Sequence, residues 1–465
     1  MFINYCFYTN LFAMSIHTKI ENLRGFFGTH QTKDVAFRKK QLKKLKEVIL
    51  SNEKKITEAL FLDLHKSYEE AYLTEISFVL QEIDYHLKNL EDWTKSLRVP
   101  TPFHILPSRS KILNEPLGVA LIIAPWNYPF QLLFSPLVGA ISAGCCTVLK
   151  PSPSAPNIAK VMEEMIKATF DENYICLIQG GREVNELVLK ERFDVMFFTG
   201  SSTVGKVIMR AAAENLTPVI LELGGKSPCI VDEEANLVIT AKRIIWGKTI
   251  NAGQTCIAPD YVFVQEKVKD KLIEQMKVAL QELFGEDIEK SPFYARIIHQ
   301  EAFERLEKLT QEGKIQVGGR MDKEKLFIEP TIIDEITSDS LIMQGEIFGP
   351  LLPILTYTGI DDVIHYINAN EKPLALYYFG KTKQANEVLR KTSSGGATIN
   401  DTLMHITNHH LPFGGVGNSG MGSYHGKGSF DAFSHRRGIV TSPTWIDLPL
   451  KYPPFKYFKW IKKLI

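Results

Sequence analysis

From Leu117 onward, short uncharged apolar runs alternate with stretches whose apolar positions recur every three to four residues. LGVALIIAP reads as a buried strand, 128–144 as a helix, CCTVLK as a strand and 156–170 as a helix. YICLIQG, FDVMFFTG and TPVILELGG follow as strands, with helices over 182–191 and 201–215 between them. Such alternation predicts a parallel sheet covered by helices on both faces, and ligands of such sheets bind beyond the carboxyl ends of the strands. After Gly225 a second alternation begins: SPCIVDE, a helix over 237–248, YVFVQE, a long helix ending near Phe284, then strands LALYYFG and ATIND. This predicts a second α/β domain. Upstream, Leu42, Leu45, Val48, Ile49 and Ile56 stand at helical spacing among lysines and glutamates, as in amphipathic helices packed on the first domain.

Composition narrows the class. The 465 residues are 45% hydrophobic and 23% charged, enough for several cores, and 54 Lys plus Arg against 53 Asp plus Glu give no global attraction to nucleic acid or anionic membrane. Six cysteines without a CxxC pair are too sparse for a disulfide scaffold and suit a reducing compartment. With no HExxH among twelve histidines, no metal site is expected. Residues 116–149 carry no charge, but Pro125, Pro129 and Pro136 interrupt any single spanning helix; strand, turn and buried helix explain the run better. The leader MFINYCFYTNLFAM lacks a basic start and makes a poor signal peptide, so Met14 is an alternative translation start.

Four segments carry candidate chemistry. FFTGSSTVGK puts Gly200, Ser201 and Gly205 where a strand turns into a helix, where backbone amides can meet a phosphate; such glycines also serve purely structural turns. NAGQTCIAP places Cys256 in a small, polar loop, as nucleophile or as small buried hydrophobe. Cys145, Cys146, Cys176 and Cys229 lie in or beside strands and take the second reading. Glu222 ends the apolar strand VILELGG, where desolvation would raise its pKa and make it a base near neutrality, or where a partner would make it structural. Asn127 in APWNYPF can donate to an oxyanion or cap a turn.

Together these segments resemble the aldehyde dehydrogenase superfamily: APWNYPF, TVLKPS, LELGGKSP, GQTC, EIFGP and LPFGG with GNSG occur in order between residues 124 and 420. The stretch INDTLMHITNHHLPFGGVGNSGMGSYHGKGSFDAFSH resembles, more narrowly, the class 3 branch of fatty and medium-chain aldehyde dehydrogenases. The resemblance implies an α/β fold with a Rossmann-type parallel-sheet cofactor domain (14–99 and 116–222) and a second α/β catalytic domain (223–427). A small bridging β oligomerisation element (100–115 and 428–447) and a basic aromatic tail (448–465) complete it, in a homodimer. It implies oxidation of medium- to long-chain or aromatic aldehydes to acids by NAD or NADP. Cys256 is then the nucleophile, Asn127 and the Cys256 N–H hold the oxyanion, and Glu222 activates water against a thioester. Trp126, Lys150, Gly200, Ser201, Gly205, Gly224, Glu346 and Phe348 become the cofactor residues, with Gly225 beside them.

One position departs from many relatives, which carry a glutamate three residues after the lysine; here it is Pro153. Losing that charge removes a repulsion against a 2′-phosphate, so NADP is expected to be accepted beside NAD. Tyr128, Phe130, Met404 and His405 are candidates for an apolar substrate funnel. The tail KYPPFKYFKWIKKLI, with five lysines, suits a cytoplasmic protein touching a membrane surface weakly, or a tail docked on a partner or solvated. A CoA-acylating dehydrogenase, which has no task for a water-activating Glu222, and a non-catalytic protein on the same fold are the rival readings.

Overall fold

A computed structural model describes residues 2–447, 449–459 and 462, with side chains from residue 13 onward except Leu450. The tail's Trp460, Ile461 and Ile465 lie outside the described residues, as does the Cys6 side chain. The first sheet runs Ile175–Leu177, Cys146–Lys150, Val119–Ile123, Val195–Thr199, Val219–Glu222, all parallel. Every residue of the three central strands is buried, which is why their sequence carries unbroken apolar runs rather than alternation. The uncharged run resolves into strand, helix Gln131–Ala143 and strand, the helix buried on every side. Among the described residues no helix is long and apolar enough to cross a membrane.

Strand order reverses beside Val119–Ile123: the chain steps outward through Cys146–Lys150 to Ile175–Leu177, then crosses back to Val195–Thr199 on the other side. Loops 124–130 and 200–201 therefore open at the same carboxyl-end switch point. Helices Val35–Ser51 and Glu53–Leu64 pack on this unit with Leu42, Leu45, Ile49 and Ile56 fully buried. The second sheet has seven strands in the order Lys314–Val317, Thr331–Asp334, Leu351–Tyr357, Tyr261–Gln265, Pro228–Val231, Ala375–Phe379, Gly396–Ile399, only the first antiparallel.

Two details differ from the sequence-drawn segments. The small antiparallel sheet joins Arg109–Pro116 and Ser434–Thr441 but also takes in Leu97–Val99, from the segment given to the cofactor domain. The chain also returns to the first sheet before residue 427. Gly420–Met421 pairs with Val219–Glu222, and helix Lys427–Ala432 packs Ser429 against Gly139 of the buried helix. A two-residue strand carries no periodicity that a sequence reading can detect.

Candidate active site

The loop after Val119–Ile123 delivers Asn127, and the loop after helix Leu237–Thr249 delivers Cys256. The second loop is unusual: Asn251 and Ala252 both lie in the left-handed region, at φ 52° and 51°, costing about 1 kcal/mol or more each. Hydrogen bonds hold it there. Asn251 N–H donates to Glu70 Oε1 (2.8 Å), Gln254 Nε2 donates to the carbonyls of Asn251 and Arg296 (3.0 Å each), and Gln254 Oε1 accepts from Ile298 N–H (3.0 Å). Asn127 Nδ2 donates to Gln254 O (2.9 Å), tying one loop to the other.

These loops line a mostly apolar cavity of about 490 Å³, bounded by Tyr128, Glu222, Trp246, Cys256, Phe293 and Met404 among others. Cys256 is partly accessible. Burial, followed by the nearby carboxylates of Glu346 and Glu222, pushes its thiol up, while the N–H groups of Cys256 and Ile257 act against that rise. Glu222 is 3% exposed, and neither carboxylate oxygen has a hydrogen-bond partner among the described residues. Desolvation alone raises its pKa well above the usual carboxylate range, which makes its ionised form a stronger base than an exposed carboxylate. The four cysteines assigned to strands, Cys145, Cys146, Cys176 and Cys229, are buried.

The funnel expectation is half right. Tyr128 and Met404 line the cavity, but Phe130 is fully buried against Phe134 at the start of the buried helix. His405 stacks on Phe413 and bonds Thr398 instead. An adjacent position in a loop decides which ring faces inward, and no period exists there to read.

The expected cofactor residues gather at the switch point and along one smaller cleft of about 240 Å³ that includes Ser202, Gly224, Gly225 and Glu346. Ser201 caps helix Ser202–Ala213 by accepting from Val204 N–H (3.4 Å). Gly200 N–H donates to Glu222 O (3.0 Å). Gly205 is buried where a Cβ would meet Leu223 at 2.8 Å, so close packing of helix on strand accounts for that glycine. At Gly224 a Cβ would stand 2.1 Å from Glu346 Oε2, so only glycine admits that carboxylate. Phe348, at φ 49°, meets Trp126 edge-on at 5.4 Å.

Two buried polar groups among the expected cofactor residues differ in how they are paired. Glu346 Oε1 is buried without a partner among the described residues, and burial pushes the carboxyl up to about 8. Lys150, 1% exposed, donates to the carbonyls of Pro151 (3.0 Å) and Gly180 (2.6 Å), and desolvation lowers it to about 8. Glu346 is left with an acceptor that a hydroxyl could fill, since buried polar groups are ordinarily paired, whereas Lys150 is already held by two carbonyls.

The family model for the aldehyde dehydrogenase family matches residues 10–439. The chain belongs to the aldehyde dehydrogenase family. It is 50% identical to the 4,4'-diaponeurosporen-aldehyde dehydrogenase of Staphylococcus aureus, covering 96% of this chain and 98% of that one. It is 44% identical to the dimeric NADP-preferring aldehyde dehydrogenase of Canis lupus familiaris, covering 94% and 97%. A solved structure described as the substrate-bound state of Staphylococcus aureus AldH superposes with TM-score 0.95 at 49% identity, over 97% of this chain and 99% of that one. This aldehyde dehydrogenase is therefore an oxidoreductase of the class 3 type that oxidises aldehydes with NAD or NADP.

Sequence reading missed the residues that hold the two loops together: Lys66, Glu70, Glu75, Asn251 and Gln254. NAGQTC carried a hint in its small residues ahead of the cysteine. Lys66 sits in the short link after helix Glu53–Leu64 and Glu75 in the turn Tyr72–Ile76, in a stretch of ordinary polarity that gives no sign of burial.

Proposed function

We propose that Cys256, Asn127 and Glu222 carry the oxidation, and that the aldehyde enters the apolar cavity. The observation that supports this most strongly is Glu222, a buried carboxyl without a hydrogen-bond partner among the described residues, sharing that cavity with Cys256. The bound dinucleotide supplies a hydride acceptor and a positive ring charge. Cys256 Sγ, once its proton has been lost to water, adds to the carbonyl carbon. The new oxyanion accepts from Asn127 Nδ2 and the Cys256 N–H, donors whose loss typically costs about a hundredfold or more. Departure of hydride leaves a thioester on Cys256. Glu222 then takes a proton from water as its oxygen attacks the acyl carbon, and the C–S bond breaks to release the acid.

Within that reading Lys150 and Glu346 bind ribose hydroxyls, Phe348 and Trp126 flank the nicotinamide end, and Gly200, Ser201 and Gly224 let the dinucleotide lie close to the backbone. Gly205 serves by packing the helix that begins at Ser202. Exposed Pro153 offers no charge against a 2′-phosphate, which supports use of NADP as well as NAD. The apolar cavity favours medium- to long-chain or aromatic aldehydes, with broad selectivity, because a methylene contributes only about 1 kcal/mol. Nicotinamide reduction measured over aldehydes of increasing chain length, with each dinucleotide, tests this; preference for acetaldehyde over all longer substrates would overturn it.

Among the described residues the exposed strand Ser434–Thr441 pairs on one side only, with Arg109–Pro116, and leaves an open edge. It supports a homodimer built by sheet extension, which light scattering would show as twice the chain mass. The tail lysines Lys451, Lys456, Lys459 and Lys462, exposed among the described residues, support a cytoplasmic protein with weak membrane-surface contact; unchanged liposome pelleting after truncation at Lys451 would remove that part.

A further inference from the structure

We propose that the buried Lys66–Glu75 ion pair is a positioning device that fixes Asn127 from behind and so sets the oxyanion site; this rests on Asn127 being the oxyanion donor. Both side chains are 0% exposed, with Nζ 2.6 Å from Glu75 Oε1. The same ammonium donates to the carbonyl of Asn127 at 2.9 Å and stands 4.0 Å over the ring of Tyr128. The other oxygen of Glu75 accepts from the N–H groups of Phe130 (2.9 Å) and Gln131 (3.0 Å), the opening donors of the buried helix. One ion pair thus grips both ends of 127–131. Glu75 lies within a π-helical turn, Tyr72–Ile76, inserted ahead of helix Ser77–Thr94. Such turns shift the facing of a side chain by the extra residue they hold.

A second donor completes the grip: Asn251 Nδ2 reaches the Asn127 carbonyl at 2.8 Å. Asn251 belongs to the loop that carries Cys256, so the two oxyanion donors, Asn127 Nδ2 and the Cys256 N–H, are referenced to one carbonyl. Stability alone does not account for this arrangement, because burying two charges costs several kcal/mol per ion and a well-packed apolar pair often holds a fold equally well. What an apolar pair lacks is a direction for the carbonyl. Misplacement by an ångström is enough to cost about a hundredfold in rate.

The test uses full-length protein with dinucleotide bound, in Lys66→Met and in Lys66→Met/Glu75→Gln, which leaves no buried charge unpaired if the single variant fails to fold. The readouts are kcat and KM for a short aldehyde, and the rate at which iodoacetamide alkylates Cys256, a displacement that develops no oxyanion. The expected result is a fall in kcat of about 10- to 100-fold, with KM and the alkylation rate changed by less than about threefold. In an Asn127→Ala background the same substitutions should then cost little more. Unchanged kcat, an equal loss with and without Asn127, a parallel loss of alkylation, or failure of both variants to fold would each overturn the proposal. Should Asn127→Ala alone leave kcat intact, the reading of the oxyanion site itself fails instead.

Discussion

Behind Asn127 the buried charges are paired: Lys66 donates to Glu75, whose other oxygen accepts from two backbone N–H groups. Across the cavity, Glu222 has neither oxygen paired, and Lys248 Nζ, in the helix that leads into the second loop, and Glu346 Oε1 lack partners among the described residues. The same chain pairs its buried charges on one wall and leaves them waiting on the other. A satisfied group is locked and inert. An unsatisfied one retains free energy to give to a substrate, a cofactor or a proton, at a cost of about 1–3 kcal/mol in stability for each.

The comparison is broken most severely at the reactive wall. Cys256→Ala should abolish nicotinamide reduction by about four orders of magnitude or more, measured as steady-state absorbance, since a nucleophile's loss removes the covalent route entirely. Glu222→Gln should reduce kcat by about 10²- to 10⁴-fold, while a first turnover of reduced nicotinamide persists. In the unmodified enzyme the hydrolytic step should speed up as pH rises through the raised pKa of Glu222. A step governed instead by an ordinary carboxylate near pH ~4.3 would already be flat there. Asn127→Ala should lower kcat by about 10²- to 10³-fold with dinucleotide affinity unchanged, as isothermal titration would show.

Stability measurements sharpen the contrast because the two carboxylates should move in opposite directions. Lys66→Met strands Glu75 and should cost about 3–5 kcal/mol in denaturant unfolding. Glu222→Gln should raise the thermal midpoint by about a degree or two. Its folded pKa lies above the unfolded value, so its contribution is full below pH ~4.3 and declines as pH rises toward the folded value. The gain from the amide should therefore be larger at pH 8 than at pH 5.

Much of this was legible in the sequence. The apolar runs at Val119–Ile123, Cys146–Lys150 and Val195–Thr199 announced the parallel sheet because buried parallel strands show no alternation. Cys256, Glu222 and Asn127 stand out in the sequence as candidates at strand and loop ends, and the ordered motifs around them point to the family. The return of Gly420–Met421 to the first sheet was not legible, being two residues long. Nor was the clamp: Lys66 and Glu75 are nine residues apart, and only the π-helical turn and the docking of loop 124–130 bury them together. Phe130 and His405 misled because a loop's inward face follows from backbone turns rather than from a repeating period.

The most direct measurement is a rapid-quench reaction of Glu222→Gln with aldehyde and NAD, followed by intact-protein and peptide mass spectrometry. The account predicts one equivalent of reduced nicotinamide per active chain and one acyl group retained on the peptide bearing Cys256. Full multiple turnover, or a burst that leaves Cys256 unmodified, would contradict it.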